Sequence, residues 1–257
     1  MDRDGKMRGG TSMESSLAAG FRWPCTHPEM LKDCMKRVSP KQAESIRKMT
    51  DLIRQACLVA KDSAFNVREY TRDSSKMAFL AVKDCEKELD RIERKVDESI
   101  TGAITAVSEA EARELLACLK FIIDLERIGD LLWSAAKRLQ ALGAQLSKDD
   151  SREVGEMAGI LESMLERIHQ GFLNRDVQAA GWVLQTDARI DEACRAIFRR
   201  HLEKSDRHKR EYSTNLLFIA QAFERAGDHS KNLAEEIFQL VEGRSLRHEL
   251  KRRSPGS

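Results

Sequence analysis

The sequence predicts an all-α fold of two tandem, pseudo-symmetric three-helix bundles with six long helices. Only four of the 257 residues are proline, 33% are charged and 5% are aromatic, which favours helices over sheets. Apolar residues recur with a period near 3.6 from Ser39 onward. The phrase Glu-Arg-x-Gly-Asp stands at 126–130 and again at 224–228, a separation of 98 positions. The chain is therefore read as a repeat of about 100 residues.

The predicted organisation has four parts. They are a poorly ordered N-terminal extension (1–38), a first three-helix repeat (39–145), a second three-helix repeat (146–243) and a basic C-terminal tail (244–257). The extension is rich in glycine, serine and methionine, and the tail is expected to be solvated. The predicted helices cover approximately 39–65, 73–104, 108–143, 148–172, 176–202 and 210–243.

Local signals justify the helices of the first repeat in order. Ser39 is suited to cap the first helix, and Pro40 is suited to its first position. The apolar period defines the second helix. Ser108 and Glu111 have capping-box spacing and begin the third, which Gly143 is expected to end.

The second repeat follows the same plan. A polar turn at 174–176 separates its first two helices, and the polar stretch 203–209 separates the last two. Gly243 fits the C-terminal cap of the last helix.

Composition excludes several classes of protein. Net charge is +2, too balanced for a nucleic-acid-binding surface across the whole chain. The longest apolar runs fall far short of the roughly 20 residues that span a bilayer. Six irregularly spaced cysteines suggest a reducing compartment, so a cytoplasmic location is predicted.

Each repeat carries two acidic pairs with the i,i+4 spacing that places both carboxylates on one helix face. These candidate metal ligands are Glu86, Asp90, Glu126 and Asp130 in the first repeat, and Asp187, Asp191, Glu224 and Asp228 in the second. They occupy seams shared with apolar residues, where an acid is costly unless it is paired, protonated or metal-bound. The pairs also lie at equal distances from the turns near Ser108 and 203–209, so facing helices bring them together.

Three interpretations of these acids remain open: a metal site, a carboxylate–arginine network and solvated helix faces. Oxygen ligands favour hard cations. Arg127 and Arg225 could neutralise the acids, and His229 is the one imidazole beside a motif. Gly129 and Gly227 each cost about 1 kcal/mol relative to alanine inside a helix. Their missing Cβ atoms would admit a neighbouring helix or a ligand.

Together these motifs resemble the PhoU family of phosphate-uptake regulators. Residues 222–243 are similar to the closing motif of that family, 124–130 to its first-repeat counterpart, and 175–191 to its Asp-x-x-x-Asp helix. The resemblance covers roughly 40–243. It implies two pseudo-symmetric three-helix bundles whose eight acids bind multinuclear metal clusters. Iron is the first expectation, with zinc, manganese or magnesium as alternatives.

The resemblance also implies a cytoplasmic, non-enzymatic negative regulator of phosphate-starvation signalling. Its expected partners are a phosphate ABC transporter and a sensor histidine kinase, through which it would reach the membrane. A homodimer is expected, and nucleic acid is not. Related domains accompany other transporters and channels, which are alternative partners.

An alternative from another class is a carboxylate-bridged di-metal enzyme. Such sites use Glu-x-x-His. Here the third residue after the leading acid is never histidine, being Leu89, Gly129, Ile190 and Gly227. The chain also offers no nucleophile–base motif or phosphate-cradling glycine loop.

Overall fold

The computed structural model describes residues 40–104, 107–202 and 210–243, with side chains from Glu44 onward. Within these ranges the protein forms six α-helices and one short 3₁₀ turn. The helices are α1 (Pro40–Asp73), α2 (Lys76–Ala103), α3 (Glu109–Leu142), α4 (Lys148–Asn174), α5 (Val177–Leu202) and α6 (Arg210–Glu242), and the 3₁₀ turn is Gly143–Gln145. The predictions for the N-terminal extension, the Ser39 cap, the 203–209 break and the basic tail fall outside the described residues.

The all-α prediction is confirmed, and the largest boundary error lies at the end of α1. The predicted end near Phe65 is too early, because α1 continues to Asp73. Val67 is fully buried and Tyr70 nearly so, which shows that the apolar face persists for two more turns. Ser75 then caps α2, with its side chain accepting a hydrogen bond from the Ala78 amide.

The other helix ends follow the local signals. The capping box is present, since the Ser108 amide donates to Glu111 Oε2 at 2.7 Å and the Glu111 amide donates to Ser108 Oγ at 3.4 Å. Gly143 and Gly243 have φ of 49° and 70°, a conformation that favours glycine after a helix. Asp176 precedes α5, and its side chain accepts hydrogen bonds from the backbone amides of Gln178 and Ala179.

The two repeats share one interior. Within each repeat the three helices pack on one another. In chain order, α1, α2 and α3 of the first repeat correspond to α4, α5 and α6 of the second. Between repeats α1 packs on α4 and α3 packs on α6, whereas the main partners of α2 and α5 lie in their own repeat. Phe121 of α3 meets Phe172 of α4 with ring centroids 4.6 Å apart, and both are fully buried. Buried apolar side chains from all six helices form one core.

A buried polar network ties together α4, α5 and α6 around Asp150. Its carboxylate accepts hydrogen bonds from Tyr212 Oη at 2.5 Å and Arg200 Nη2 at 2.6 Å, and it lies 3.0 Å from His201 Nε2. Although burial raises the pKa of Asp150, hydrogen bonds from Ser147, Tyr212 and His201 outweigh it and hold that pKa at about 2. A buried carboxylate with these partners fastens the ends of three helices.

None of the helices among the described residues is both long enough and apolar enough to cross a membrane. Most of their large apolar residues lie on the faces that build the common core, although some, such as Met77 and Leu116, are exposed.

Candidate metal centre

The antiparallel pairing of α2 and α3 brings the first-repeat acids to one level, as the turn position predicts. Glu86, Asp90 and Asp130 each offer a carboxylate oxygen, and these oxygens lie within 4.8 Å of one another. Burial first, and then Asp90 and Asp130, raise the pKa of Glu86. Carboxylates that repel one another at this distance favour either protonation or a bound cation.

Glu126, the fourth predicted ligand of this repeat, is not one of the three residues whose oxygens meet within 4.8 Å, but it is electrostatically coupled to them. Its side chain is 12% exposed, and its Oε2 atom has no hydrogen-bond partner, although Arg127 Nε lies 3.5 Å away. Burial and, next, the Asp130 carboxylate raise the pKa of Glu126 from 4.5 to about 7. Arg127 also reaches Asp130, with 3.6 Å between Nη1 and Oδ2. The predicted arginine contact is therefore present at ion-pair distance, but it gives the buried Glu126 Oε2 atom no hydrogen bond.

Glu93 lies close enough to Asp90 and Asp130 to be electrostatically coupled to them, and it is not among the ligands that the sequence predicts. Burial, Asp97 and Asp90 raise its pKa, in that order. The signal was available, because Glu93 follows Glu86 by seven residues, two helical turns along one face. The first acidic cluster consists of Glu86, Asp90, Glu93, Glu126 and Asp130.

Gly129 allows α2 to approach α3 beside this cluster. A Cβ built on Gly129 would lie only 2.5 Å from Leu89 Cδ1. Leu89 is fully buried and directly precedes Asp90. The glycine therefore makes room for a side chain of the neighbouring helix, one of the two explanations that the sequence allows.

The second repeat arranges its acids differently. The second acidic cluster consists of Asp187, Asp191, Glu224 and Asp228. Lys231 Nζ lies 2.8 Å from Asp187 Oδ2 and 3.0 Å from Asp228 Oδ1. Asp187 is 5% exposed, its Oδ1 has no hydrogen-bond partner, and burial raises its pKa. A Cβ on Gly227 would lie 3.0 Å from that same oxygen and 3.5 Å from Ile190 Cδ1, so this glycine makes room for both.

The other motif residues of the second repeat, Glu224, His229 and Arg225, each have a different environment. Glu224 Oε2 accepts a hydrogen bond from Cys194 Sγ at 3.4 Å, and Cys194 is seven residues after Asp187, the position that Glu93 holds in the first repeat. Burial and then Glu224 raise the pKa of Cys194 to about 12. His229 Nδ1 lies 2.7 Å from Asp124 Oδ1, which joins α6 to α3. Arg225 is exposed on α6.

The two clusters differ in how well they suit a metal. In the first, three converging carboxylate oxygens form an all-oxygen ligand set suited to a hard cation. In the second, the carboxylates within the described ranges do not bring three ligand atoms within the same 4.8 Å distance, and an ammonium bridges two of them. The residues of the first cluster therefore fit a metal as they stand.

Comparison with known proteins identifies the family. A model of the PhoU domain matches the chain twice, over residues 46–139 and 154–237. These segments correspond to the two three-helix repeats and together cover most of the chain. The chain belongs to the PhoU domain family. The two matches confirm the repeat that the paired Glu-Arg-x-Gly-Asp phrases predict.

Curated relatives carry the name phosphate-specific transport system accessory protein PhoU homolog. One from Burkholderia sp is 32% identical over 170 residues, covering 63% of this chain and 72% of the relative. One from Xylella fastidiosa strain 9a5c is 28% identical over 205 residues, covering 78% and 86%.

Solved PhoU structures share the fold. The phosphate transport system regulatory protein PhoU from Streptococcus pneumoniae aligns with a TM-score of 0.72 at 17% identity, covering 80% of this chain and 99% of that one. PhoU from Pseudomonas aeruginosa aligns with a TM-score of 0.61 at 23% identity, covering 84% and 99%. At these identities the likeness establishes the six-helix fold.

Proposed function

We propose that this protein is a metal-binding accessory protein that regulates phosphate uptake. The observation that carries the proposal is the convergence of Glu86, Asp90 and Asp130 within a chain of the PhoU domain family. Its similarity to proteins named as phosphate-specific transport system accessory proteins supports the transporter assignment.

In this proposal the first acidic cluster holds the metal. Glu86, Asp90 and Glu93 extend from α2, while Glu126 and Asp130 extend from α3. A bound cation would supply a positive charge that links the two helices and relieves the repulsion between their carboxylates. The Glu126 Oε2 atom supports a ligand at this point, because it is buried and makes no hydrogen bond, its one charged neighbour being Arg127 Nε at 3.5 Å. Iron stays the first expectation, with manganese, magnesium or zinc as alternatives.

The regulatory part of the proposal is non-enzymatic. We propose a cytoplasmic protein that couples a phosphate transporter to a sensor histidine kinase and restrains phosphate-starvation signalling, and that forms a homodimer. The buried Ser213–His201–Asp150 contacts are the one Ser/His/Asp arrangement within the described ranges. All three residues are less than 8% exposed, which favours a structural role over a nucleophilic one.

Metal content tests the binding proposal directly. Untagged protein is purified, its metals are measured by mass spectrometry, and the measurement is repeated on Asp90→Asn/Asp130→Asn. The double variant is expected to lose the metal bound by the wild type. The matched control is Asp84→Asn/Glu98→Gln, which removes two exposed acids of α2 outside the cluster. Equal metal content in wild type and cluster variant would overturn the proposal.

Deletion of the gene tests the regulatory proposal. Alkaline phosphatase activity is measured in phosphate-rich medium and is expected to rise in the deletion strain and to return to the repressed level on complementation. Complementation by Asp90→Asn/Asp130→Asn measures how far regulation depends on the cluster. Unchanged repression together with unchanged phosphate uptake would point instead to another transporter as the partner.

A further inference from the structure

The two acidic clusters are related by the repeat but differ at one matched position. On α3 and α6 corresponding residues are 98 positions apart, as in Glu126 and Glu224. The same offset pairs Trp133 with Lys231. One repeat thus places an indole, and the other an ammonium, one turn after the closing aspartate of its motif.

Lys231 lies where a metal would be expected to bridge the helices. Its Nζ contacts Asp187 of α5 at 2.8 Å and Asp228 of α6 at 3.0 Å, one carboxylate from each helix. The lysine side chain is 34% exposed, whereas that of Asp187 is 7% exposed. The ammonium therefore supplies an internal positive charge to the most buried acid of the second cluster.

Trp133 makes no such contact in the first repeat. Its ring packs on Phe79, with centroids 5.0 Å apart, and Lys137 Nζ lies over the indole at 5.3 Å from the centroid. Among the ion pairs of the described residues none involves Glu86 or Asp90, although the nearby charges of Lys137 and Lys87 act to lower the pKa of Glu86. Arg127 contacts Glu126 and Asp130 at 3.5 and 3.6 Å, so of the predicted ligands of the first cluster only the Glu86 and Asp90 carboxylates are left open to an external cation.

The second cluster also contains a buried carboxylate oxygen that makes no hydrogen bond. Asp187 Oδ1 is buried and lacks a hydrogen-bond partner even though Oδ2 contacts Lys231. It faces the space beside Gly227, where a Cβ would approach it to 3.0 Å. The Lys231 ammonium thus contacts only the Oδ2 atom of Asp187. The buried Oδ1 atom, which makes no hydrogen bond, points to a further ligand.

We propose that Lys231 is a built-in competitor for metal at the second acidic cluster, so that the two clusters load in sequence. The inference rests on the proposed metal-binding function. At the first cluster a divalent cation can bind Glu86 and Asp90 and meets only the longer Arg127 contacts of 3.5 and 3.6 Å. At the second it must displace the Lys231 ammonium, which contacts Asp187 and Asp228 at 2.8 and 3.0 Å. Two positive charges cannot share these oxygens without strong repulsion in a partly buried site. Second-site occupancy therefore requires a higher metal concentration and frees a lysine amine.

The test uses Mn²⁺ as the probe and isolates the second cluster. In the Asp90→Asn/Asp130→Asn background, Mn²⁺ affinity is measured by titration calorimetry with Lys231, with Lys231→Met and with Lys231→Arg. Methionine keeps most of the side-chain volume without charge, and arginine keeps the charge. We expect affinity at least about tenfold higher for Lys231→Met than for the other two, because a competing charge has gone. Equal affinity in all three would overturn the inference.

Amine labelling of the otherwise wild-type protein provides a second measurement that needs no folded variant. Lys231 is acylated with a water-soluble reagent, and the modified fraction is quantified by mass spectrometry across an Mn²⁺ titration. Labelling is expected to rise only after the first equivalent has bound, and Lys148, exposed at the start of α4 and outside both clusters, serves as an internal reference. Metal binding at both clusters with unchanged Lys231 labelling would overturn sequential loading while leaving the metal proposal intact. If neither the wild type nor any variant bound Mn²⁺, both the sequential-loading inference and the metal-binding proposal would be overturned.

Discussion

Glu126 should make the metal-free protein less stable as the pH rises through neutrality. Burial and Asp130 raise its pKa from 4.5 to about 7, so the folded state holds a proton that the unfolded state releases earlier. An acid with a raised folded pKa contributes stability at low pH and loses that contribution as pH rises through the folded value. For this shift the loss amounts to about 2.5 kcal/mol between about pH 5 and pH 8.

The assay is urea unfolding in the presence of a chelator at these two pH values. Glu126→Gln is the matched variant, since an amide keeps the shape but cannot ionise. It is expected to match the wild type near pH 5 and to exceed it by about 2 kcal/mol near pH 8. The comparison is needed because burial lowers the pKa of His169, which makes stability rise with pH through its own titration.

Parallel pH profiles for wild type and Glu126→Gln would refute the reasoning. That result would mean that Glu126 is already ionised in the folded protein at pH 5, with its charge neutralised by Arg127. The 3.5 Å Arg127 contact would then carry more weight than the burial of the carboxylate.

Three further predictions concern stability measured by urea unfolding at neutral pH. Gly129→Ala should destabilise the protein by about 1–2 kcal/mol, because overpacking against buried Leu89 outweighs the gain in helix propensity, and a more stable variant would contradict this. Gly102→Ala, with nothing within 4 Å of the added Cβ, should instead stabilise it by up to about 1 kcal/mol, and equal effects at the two glycines would show that packing is irrelevant. Tyr212→Phe should cost about 2 kcal/mol by removing the hydrogen bond to Asp150, and an unchanged midpoint would count against the network.

Most of the fold follows from local patterns. The apolar period, the Ser108 capping box and the C-terminal glycines depend on residues within a few positions of one another, and their helices formed as predicted. The end of α1 was misplaced because Val67 and Tyr70 continue the buried face beyond the point where the sequence pattern weakens. That extension depends on the neighbouring helices that cover those residues.

The candidate site was predictable in part. The i,i+4 spacing and the turn position place Glu86, Asp90 and Asp130 together, and the structure brings their oxygens within 4.8 Å. The second repeat has matching acids, yet Lys231 lies between two of them. Matching acids therefore did not guarantee matching sites, since each site also depends on the side chain one turn further on.

By itself the sequence determined the helices, their duplication and the level at which the acidic pairs meet, because these depend on spacing along single helices and on turn positions. Only the tertiary structure decided how each helix is rotated against its neighbours. That rotation brings Glu93 near the first cluster, leaves a buried Glu126 oxygen without a hydrogen bond and directs His229 to Asp124 across the repeats. It follows from side-chain packing such as Leu89 against Gly129, which joins residues far apart in the chain.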